Sequence, residues 1–210
     1  HESTFERAHF EGADLASANL TYASFSNTYF YGANLARAIL ANTDLTEADL
    51  RRTVLTKANL HQANLQGALL DGARLDGALM AEAYLESAYL DDASLVEANL
   101  REAIIRGADL RYANLRSAGL QQADLEGANL EGAQLVKAQA QSSNSRMAIF
   151  YKAILDQANF RDARLYRAVL IGARGTGTIF TKADLSEIHA PNAQFHHAQF
   201  NEATMESANL

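Results

Sequence analysis

At 210 residues, with a net charge of −7 and a sequence pI near 5.3, the chain has room for a sizeable core but is too acidic to favour direct nucleic-acid binding. It contains no Cys, which excludes a disulfide framework, a thiolate nucleophile and a Cys-based metal site. No apolar run is long enough to span a bilayer, and no signal peptide is visible.

The first residues set a period that the rest of the chain keeps. Phe5, Phe10, Leu15 and Leu20 begin a series that still holds phase at Phe195, Phe200, Met205 and Leu210. Leu, Phe, Met or Ile fills 38 of the 42 positions divisible by five, and Ala stands two residues earlier at 35 of 42. A period this strict makes the whole of residues 1–210 one repeat array with no domain boundary.

A period of five fits neither regular element. Five residues of α-helix advance about 500°, a net turn of roughly 140°, so the leucines would scatter around the cylinder. Residues five apart on a straight strand point to opposite faces. A chain that turns a corner once per repeat can gather every fifth side chain into one interior, with coils stacked about 4.8 Å apart by strand-like hydrogen bonds.

Each position of the unit then has a reason. The large apolar residue fills the axis, and the residue two before it must be small, as at Ala13, Ala18 and Ala33; Thr28, Thr43, Thr53 and Thr178 are slightly larger exceptions. The residue between them points outward and is often Asp or Asn (Asp14, Asn19, Asn34, Asp44), whose side chains bond nearby turn amides. Ten of the twelve glycines sit two residues after the central slot, where a corner needs an unusual backbone angle. A single proline suits an array whose amides nearly all have ladder partners.

Along the chain the outward positions vary. Tyr22, Tyr29 and Tyr31 lie close together, as do Tyr84 and Tyr89; these read either as ladder packing or as a docking surface. Glu82, Glu86, Asp91, Asp92 and Glu97 precede Arg101, Arg106, Arg111 and Arg116. The two belts either neutralise each other or form a partner-binding band.

Three segments depart from the repeat. Ala138–Arg146 puts Ala140 and Ser145 in inward slots and Ser143 in place of Ala; this predicts a loop interrupting the array around 139–146, displaying Ser142, Asn144 and Arg146. Gly175-Thr176-Gly177 gives a Leu slot to glycine, and Ile188-His189-Ala190-Pro191 swaps large and small residues. His189, His196 and His197 lie near Glu187 and Glu202, but His196 and His197 are adjacent at a corner, and no metal site is expected. No nucleophile elbow and no phosphate-cradling glycine loop is present.

Units such as Gly12-Ala13-Asp14-Leu15-Ala16, Ala48-Asp49-Leu50-Arg51-Arg52 and Ala128-Asn129-Leu130-Glu131-Gly132 resemble the A(D/N)LXX motif of pentapeptide repeat proteins, over essentially the whole chain. That resemblance implies an all-β fold, a right-handed quadrilateral parallel β-helix with four pentapeptides per coil and about ten coils, a rod of roughly 50 Å. It makes residues twenty apart into stacked neighbours. Phe5 then lies on Phe25 and Phe10 on Phe30, while Phe160, Phe180 and Phe200 form a column. Outside, Glu86–Arg106–Glu126–Arg146, Asp162–Lys182–Glu202 and Asp91–Arg111–Glu131 form columns of alternating sign.

These features lead to an expectation of a non-enzymatic protein-interaction scaffold with no cofactor and no catalytic or metal residue. Its candidate surface comprises Ser142, Asn144, Arg146, Tyr84, Tyr89, Arg106 and Arg111, facing a protein partner rather than nucleic acid or membrane. The resemblance also brings two alternatives: a DNA-mimicking inhibitor of a type II topoisomerase such as gyrase, and a structural spacer within a longer polypeptide. Inhibitory relatives tend to be Phe-rich inside, as this chain is only in its first and last stretches. The start at His1 and the absence of helical caps point to a processed or excised piece, or to ends that pair with something; a monomer or an end-to-end or side-by-side dimer is expected. Compartment expectations are the cytoplasm, or the thylakoid lumen or periplasm if a targeting segment has been removed.

Overall fold

The computed structural model describes residues 3–210; the expectation drawn from His1 lies outside them. From Thr4 to His189, each outward residue forms a parallel bridge to the residue twenty positions on, the last to Asn209. Four repeats therefore close one coil, and the chain is a right-handed quadrilateral parallel β-helix. Among the described residues no helix is long and apolar enough to cross a membrane.

The backbone hydrogen bonds account for the repeat. In one unit, the amide of Leu15 donates to Asn34 O (2.8 Å) and that of Ser17 to Ala36 O (2.8 Å), both in the next coil. Asn34 donates back to Ala13 O (2.9 Å), and Ala18 closes the corner onto Leu15 O (3.0 Å). The fifth amide, Ala16, has no ladder partner and is met by Asp14 Oδ1 at 3.2 Å. Asn34, Asp44, Asp49 and Asn59 serve the residue two positions on in the same way. The preference for Asp or Asn before the central residue thus completes the satisfaction of the backbone, which a buried ladder demands.

The corner explains the glycines and the proline. Every fifth residue from Arg7 to Ser207 has positive φ, between 54° and 69°, the requirement of the second central residue of a type II turn. Glycine adopts it freely, and the other residue types there carry the steric cost of left-handed backbone. Pro191 occupies the first central position of its corner, the place whose amide the ladder does not use.

The interior is continuous. Inward slots from Phe25 to Leu185 are buried, and the Ala column lines them. The Phe stacks form as the twenty-residue turn requires, with ring centroids 5.1 Å apart for Phe5–Phe25, 5.2 Å for Phe10–Phe30 and 5.3 Å for Phe180–Phe200. Inward threonines tie their hydroxyls to backbone carbonyls, as Thr43 Oγ1 does to Leu40 O at 2.6 Å.

No loop interrupts the array at 139–146, which corrects the sequence expectation. Gln139 bridges Gly119 and Asn159, and Asn144 bridges Asp124 and Arg164. Ala140, Ser143 and Ser145 are fully buried, and the two serine hydroxyls lie 3.3 Å apart. The ladder is made by backbone groups, so small inward residues do not break it. The adjoining slots carry Phe150 and Phe160, whose rings meet edge to face at 5.9 Å. Volume is balanced the same way at Gly175: a Cβ there would lie 2.7 Å from the Phe195 ring, which leans into the space. At the third departure Ile188 and Ala190 are both buried, and the coil runs on.

Candidate interaction surface

Four flat faces alternate with four corners. Face 1 carries the outward column Thr4 to Thr204, face 2 His9 to Asn209, face 3 Asp14 to Gln194 and face 4 Asn19 to Gln199. The corner between faces 1 and 2 holds residues such as Glu86 and Ser87, and that between faces 2 and 3 holds Asp91 and Asp92.

This frame gathers most of the sequence-derived candidates around face 2. Tyr89 stands on face 2, 49 % exposed, in line with Leu69 and Asp109. Arg106 and Arg146 lie on its 1/2 corner and Arg111 on its 2/3 corner. Tyr84 and Asn144 sit on face 1, beside the 1/2 corner. Ser142 is separate, on the corner between faces 4 and 1.

The charged residues are held by short local bonds more than by the columns expected. Arg111 grips Asp109 in its own rung, Nε to Oδ1 at 2.8 Å and Nη2 to Oδ2 at 2.6 Å, a fork that suits a carboxylate. Arg106 Nε reaches Asp124 at 2.6 Å rather than Glu86 or Glu126. Of the predicted column contacts, Lys182–Glu202 forms an ion pair at 3.6 Å, whereas Asp162 turns to Arg161. Arg167–Glu187, at 2.7 Å, is a stacked pair that went unforeseen. Arg146 lies over the Tyr166 ring at 5.3 Å, and Asn144 donates to Asp124 Oδ1 at 2.9 Å.

Two carboxylates near face 2 titrate in opposite senses. The hydrogen bonds from Arg51 hold Asp49 below its usual range. Desolvation pushes Asp91 up against the pull of Arg111, and Asp91 Oδ1 is a buried oxygen without a hydrogen-bond partner.

In line with Tyr89, face 2 also carries Leu69, Ile149 and Val169, apolar residues outside the candidate set. Leu69 and Tyr89 occupy its middle coils, and Ile149 and Val169 its later ones, beside Tyr151 and Ile171 on the 2/3 corner. The signal in the sequence was an aliphatic residue where Asp or Asn is usual. From Lys137 to Lys182, eight cations stand against two carboxylates, Asp156 and Asp162, so the later coils are basic within an acidic chain.

Among the described residues no group of three or more His, Asp or Glu is placed to hold a metal. His189 Nδ1 lies 2.9 Å from Asn209 Nδ2. An apolar cavity of about 240 Å³ opens in the last coils, lined by Phe195, Phe200, Met205 and Leu210 among others; its walls offer no acid, base or nucleophile.

The sequence profile of pentapeptide repeats matches the chain in eight copies, over residues 1–37, 33–72, 68–107, 108–144, 153–189 and 178–210. The unmatched stretch adjoins the Ser143–Ser145 departure. No curated protein matches the sequence. Among solved structures the chain is similar to HetL, a pentapeptide repeat protein involved in heterocyst differentiation regulation from the cyanobacterium Nostoc sp. Strain PCC 7120. The two share 29 % identity over 97 % of this chain and 90 % of HetL, with a TM-score of 0.73. QnrB1, a plasmid-mediated fluoroquinolone resistance protein, shares 15 % identity over 95 % of this chain and 92 % of its own, at a TM-score of 0.41. A thylakoid-lumen pentapeptide repeat protein of Arabidopsis thaliana shares 24 % over 60 % and 66 %, at 0.20. The last two are too distant to bear on this chain. With its five-residue period, twenty-residue coil and matching profile, the chain belongs to the pentapeptide repeat family.

Proposed function

We propose that this protein is a non-enzymatic protein-interaction scaffold that works through its outward columns, with face 2 and its corners as the contact surface. The observation that carries the reading is the concentration of exposed tyrosine (Tyr29, Tyr31, Tyr89 and Tyr112) with half-buried aliphatic and paired charged side chains on that face and its corners, set on a frame whose backbone groups are consumed by the ladder. A rigid platform loses little entropy when a partner docks, and aromatic and Arg side chains are the usual anchors of such contacts. The likeness to HetL, a protein involved in regulating differentiation, supports a regulatory rather than a chemical role.

The test is comparative capture from an extract of the source cells. Wild-type protein and Leu79→Asp, on face 4, are expected to retain the same partner, while Tyr89→Asp loses it. Equal capture by all three proteins would remove face 2 from the account. Turnover of a small molecule, abolished by changing one outward residue, would remove the scaffold reading itself. The alternative of a topoisomerase-blocking DNA mimic draws support from the acidity and the rod shape, but the basic coils between Lys137 and Lys182 break any continuous acidic track. A gyrase supercoiling assay with no inhibition at micromolar protein eliminates it.

A further inference from the structure

We infer that face 2 is self-complementary and docks a second copy of this chain side by side and antiparallel, about a two-fold axis passing between Asp109 and Asn129. The inference concerns the same face as the scaffold reading but does not depend on it, because it involves this chain alone. A two-fold axis that lies across the rod in the plane of contact keeps each corner opposite the same corner of the partner and reverses the order of the coils. The columns of face 2 and its corners fix what then meets what.

On the 1/2 corner, Arg106 meets the partner's Glu126 and Glu86 meets the partner's Arg146. On the 2/3 corner, Arg111 meets the partner's Glu131 and Asp92 meets the partner's Lys152. Between them, Tyr89 faces the partner's Ile149, and Leu69 the partner's Val169. By symmetry each contact occurs twice. One register therefore sets opposite charges together and apolar groups together. Arg106 uses only its Nε within the chain and Arg111 leaves Nη1 free, so both guanidinium groups keep donors for a second carboxylate.

Neighbouring arrangements fail on charge. Parallel rods would set the 1/2 corner against the 2/3 corner at one level, putting Glu86 on Asp91, Arg106 on Arg111 and Glu126 on Glu131. An antiparallel slip of one coil puts Arg106 and Arg111 against their own copies, and the opposite slip does the same to Glu126 and Glu131. Like charges facing each other disfavour each of these. The contact from Leu69 to Val169 spans five ladder steps, about 24 Å, so the dimer is expected to be weak and salt-sensitive.

The test is sedimentation equilibrium on the full chain. Wild type is expected to dimerise at about 100 μM protein in about 50 mM salt and to dissociate at about 0.5 M salt. Asp92→Lys and Lys152→Asp each reverse a charge at an exposed corner whose column neighbours are uncharged: Gly72 and Tyr112 for the first, Gly132 and Gly172 for the second. Each single variant should weaken dimerisation at least about tenfold. The double variant exchanges both charges and should restore it, with thermal melts unchanged throughout. A wild type that stays monomeric at low salt, single variants that dimerise like wild type, or a double variant no tighter than the singles would each overturn the inference.

Discussion

Each position in the unit has a different tolerance, and substitutions can separate them. Leu85 points into the interior at 1 % exposure and its neighbour Tyr84 outward at 42 %. Leu85→Asp buries an unpaired charge and should destabilise by about 3 kcal/mol or more, while Tyr84→Asp should stay within about 1 kcal/mol; thermal melts rank the two. At the corners, Gly127→Ala meets no neighbour, whereas a Cβ on Gly132 would lie 2.6 Å from the Tyr112 ring. Both have positive φ, 65° and 64°, so each should lose about 1 kcal/mol from left-handed backbone, with a further loss at Gly132 until the ring swings away.

The two carboxylates on the corners and columns of face 2 predict opposite pH profiles. The depressed pKa of Asp49 means its contribution is present above the unfolded carboxyl range and is lost as pH falls through the folded value. The raised pKa of Asp91 means its protonated form is favoured in the fold, so the ionised form is a liability at neutral pH. In melts at pH 7, Asp49→Asn should lower Tm and Asp91→Asn should raise it. The Asp91 difference should vanish as pH falls through the ordinary carboxyl range, where the side chain is protonated in both states. The Asp49 difference should persist to lower pH and shrink only through its depressed folded value. Profiles with the reverse signs would contradict the assigned environments.

At the scale of the repeat and its corner, the backbone accounting makes a sharper statement. Gln121 and Gln122 are the two central residues of one corner. Gln122 donates to Gln141 O at 2.9 Å with φ of 60°, whereas the amide of Gln121 has no backbone acceptor. Gln121→Pro should therefore change stability by less than about 1 kcal/mol, as the native Pro191 does at the equivalent position, while Gln122→Pro should cost about 3 kcal/mol or more. Denaturant midpoints distinguish them. Gly175→Leu restores the sequence pattern yet should destabilise by about 1–3 kcal/mol, because the Phe195 ring already fills the slot.

The same scale shows what could be read from the sequence. The inward register, the small Ala column and the corner glycines follow from volume and steric rules that the period exposes, whereas the Phe stacks needed the twenty-residue coil that the family resemblance implied. The loop expected at 139–146 does not form, because inward side chains do not hold the ladder and Ser143 and Ser145 fit without breaking it. Charge columns were legible only in part. Arg111 is flanked by Asp109 in its own rung, and the Arg106 side chain reaches Asp124, so shorter contacts displaced the stacked ones. Face 2 as an apolar surface was not assembled from the sequence, since Leu69, Tyr89, Ile149 and Val169 are far apart along the chain and meet only through the twenty-residue coil, which the family resemblance alone supplied.

At the scale of the whole molecule, the chain turns a corner once per five residues and closes a coil after twenty. The absence of native Cys allows a direct measurement. Asn114 and Gln134 are bridged on face 3, whereas Asn114 and Asn129 lie on different faces. In mild oxidant, Asn114→Cys with Gln134→Cys should lose both free thiols to an intramolecular disulfide, and Asn114→Cys with Asn129→Cys should keep both. Cross-linking at the fifteen-residue spacing and none at twenty would contradict the coil.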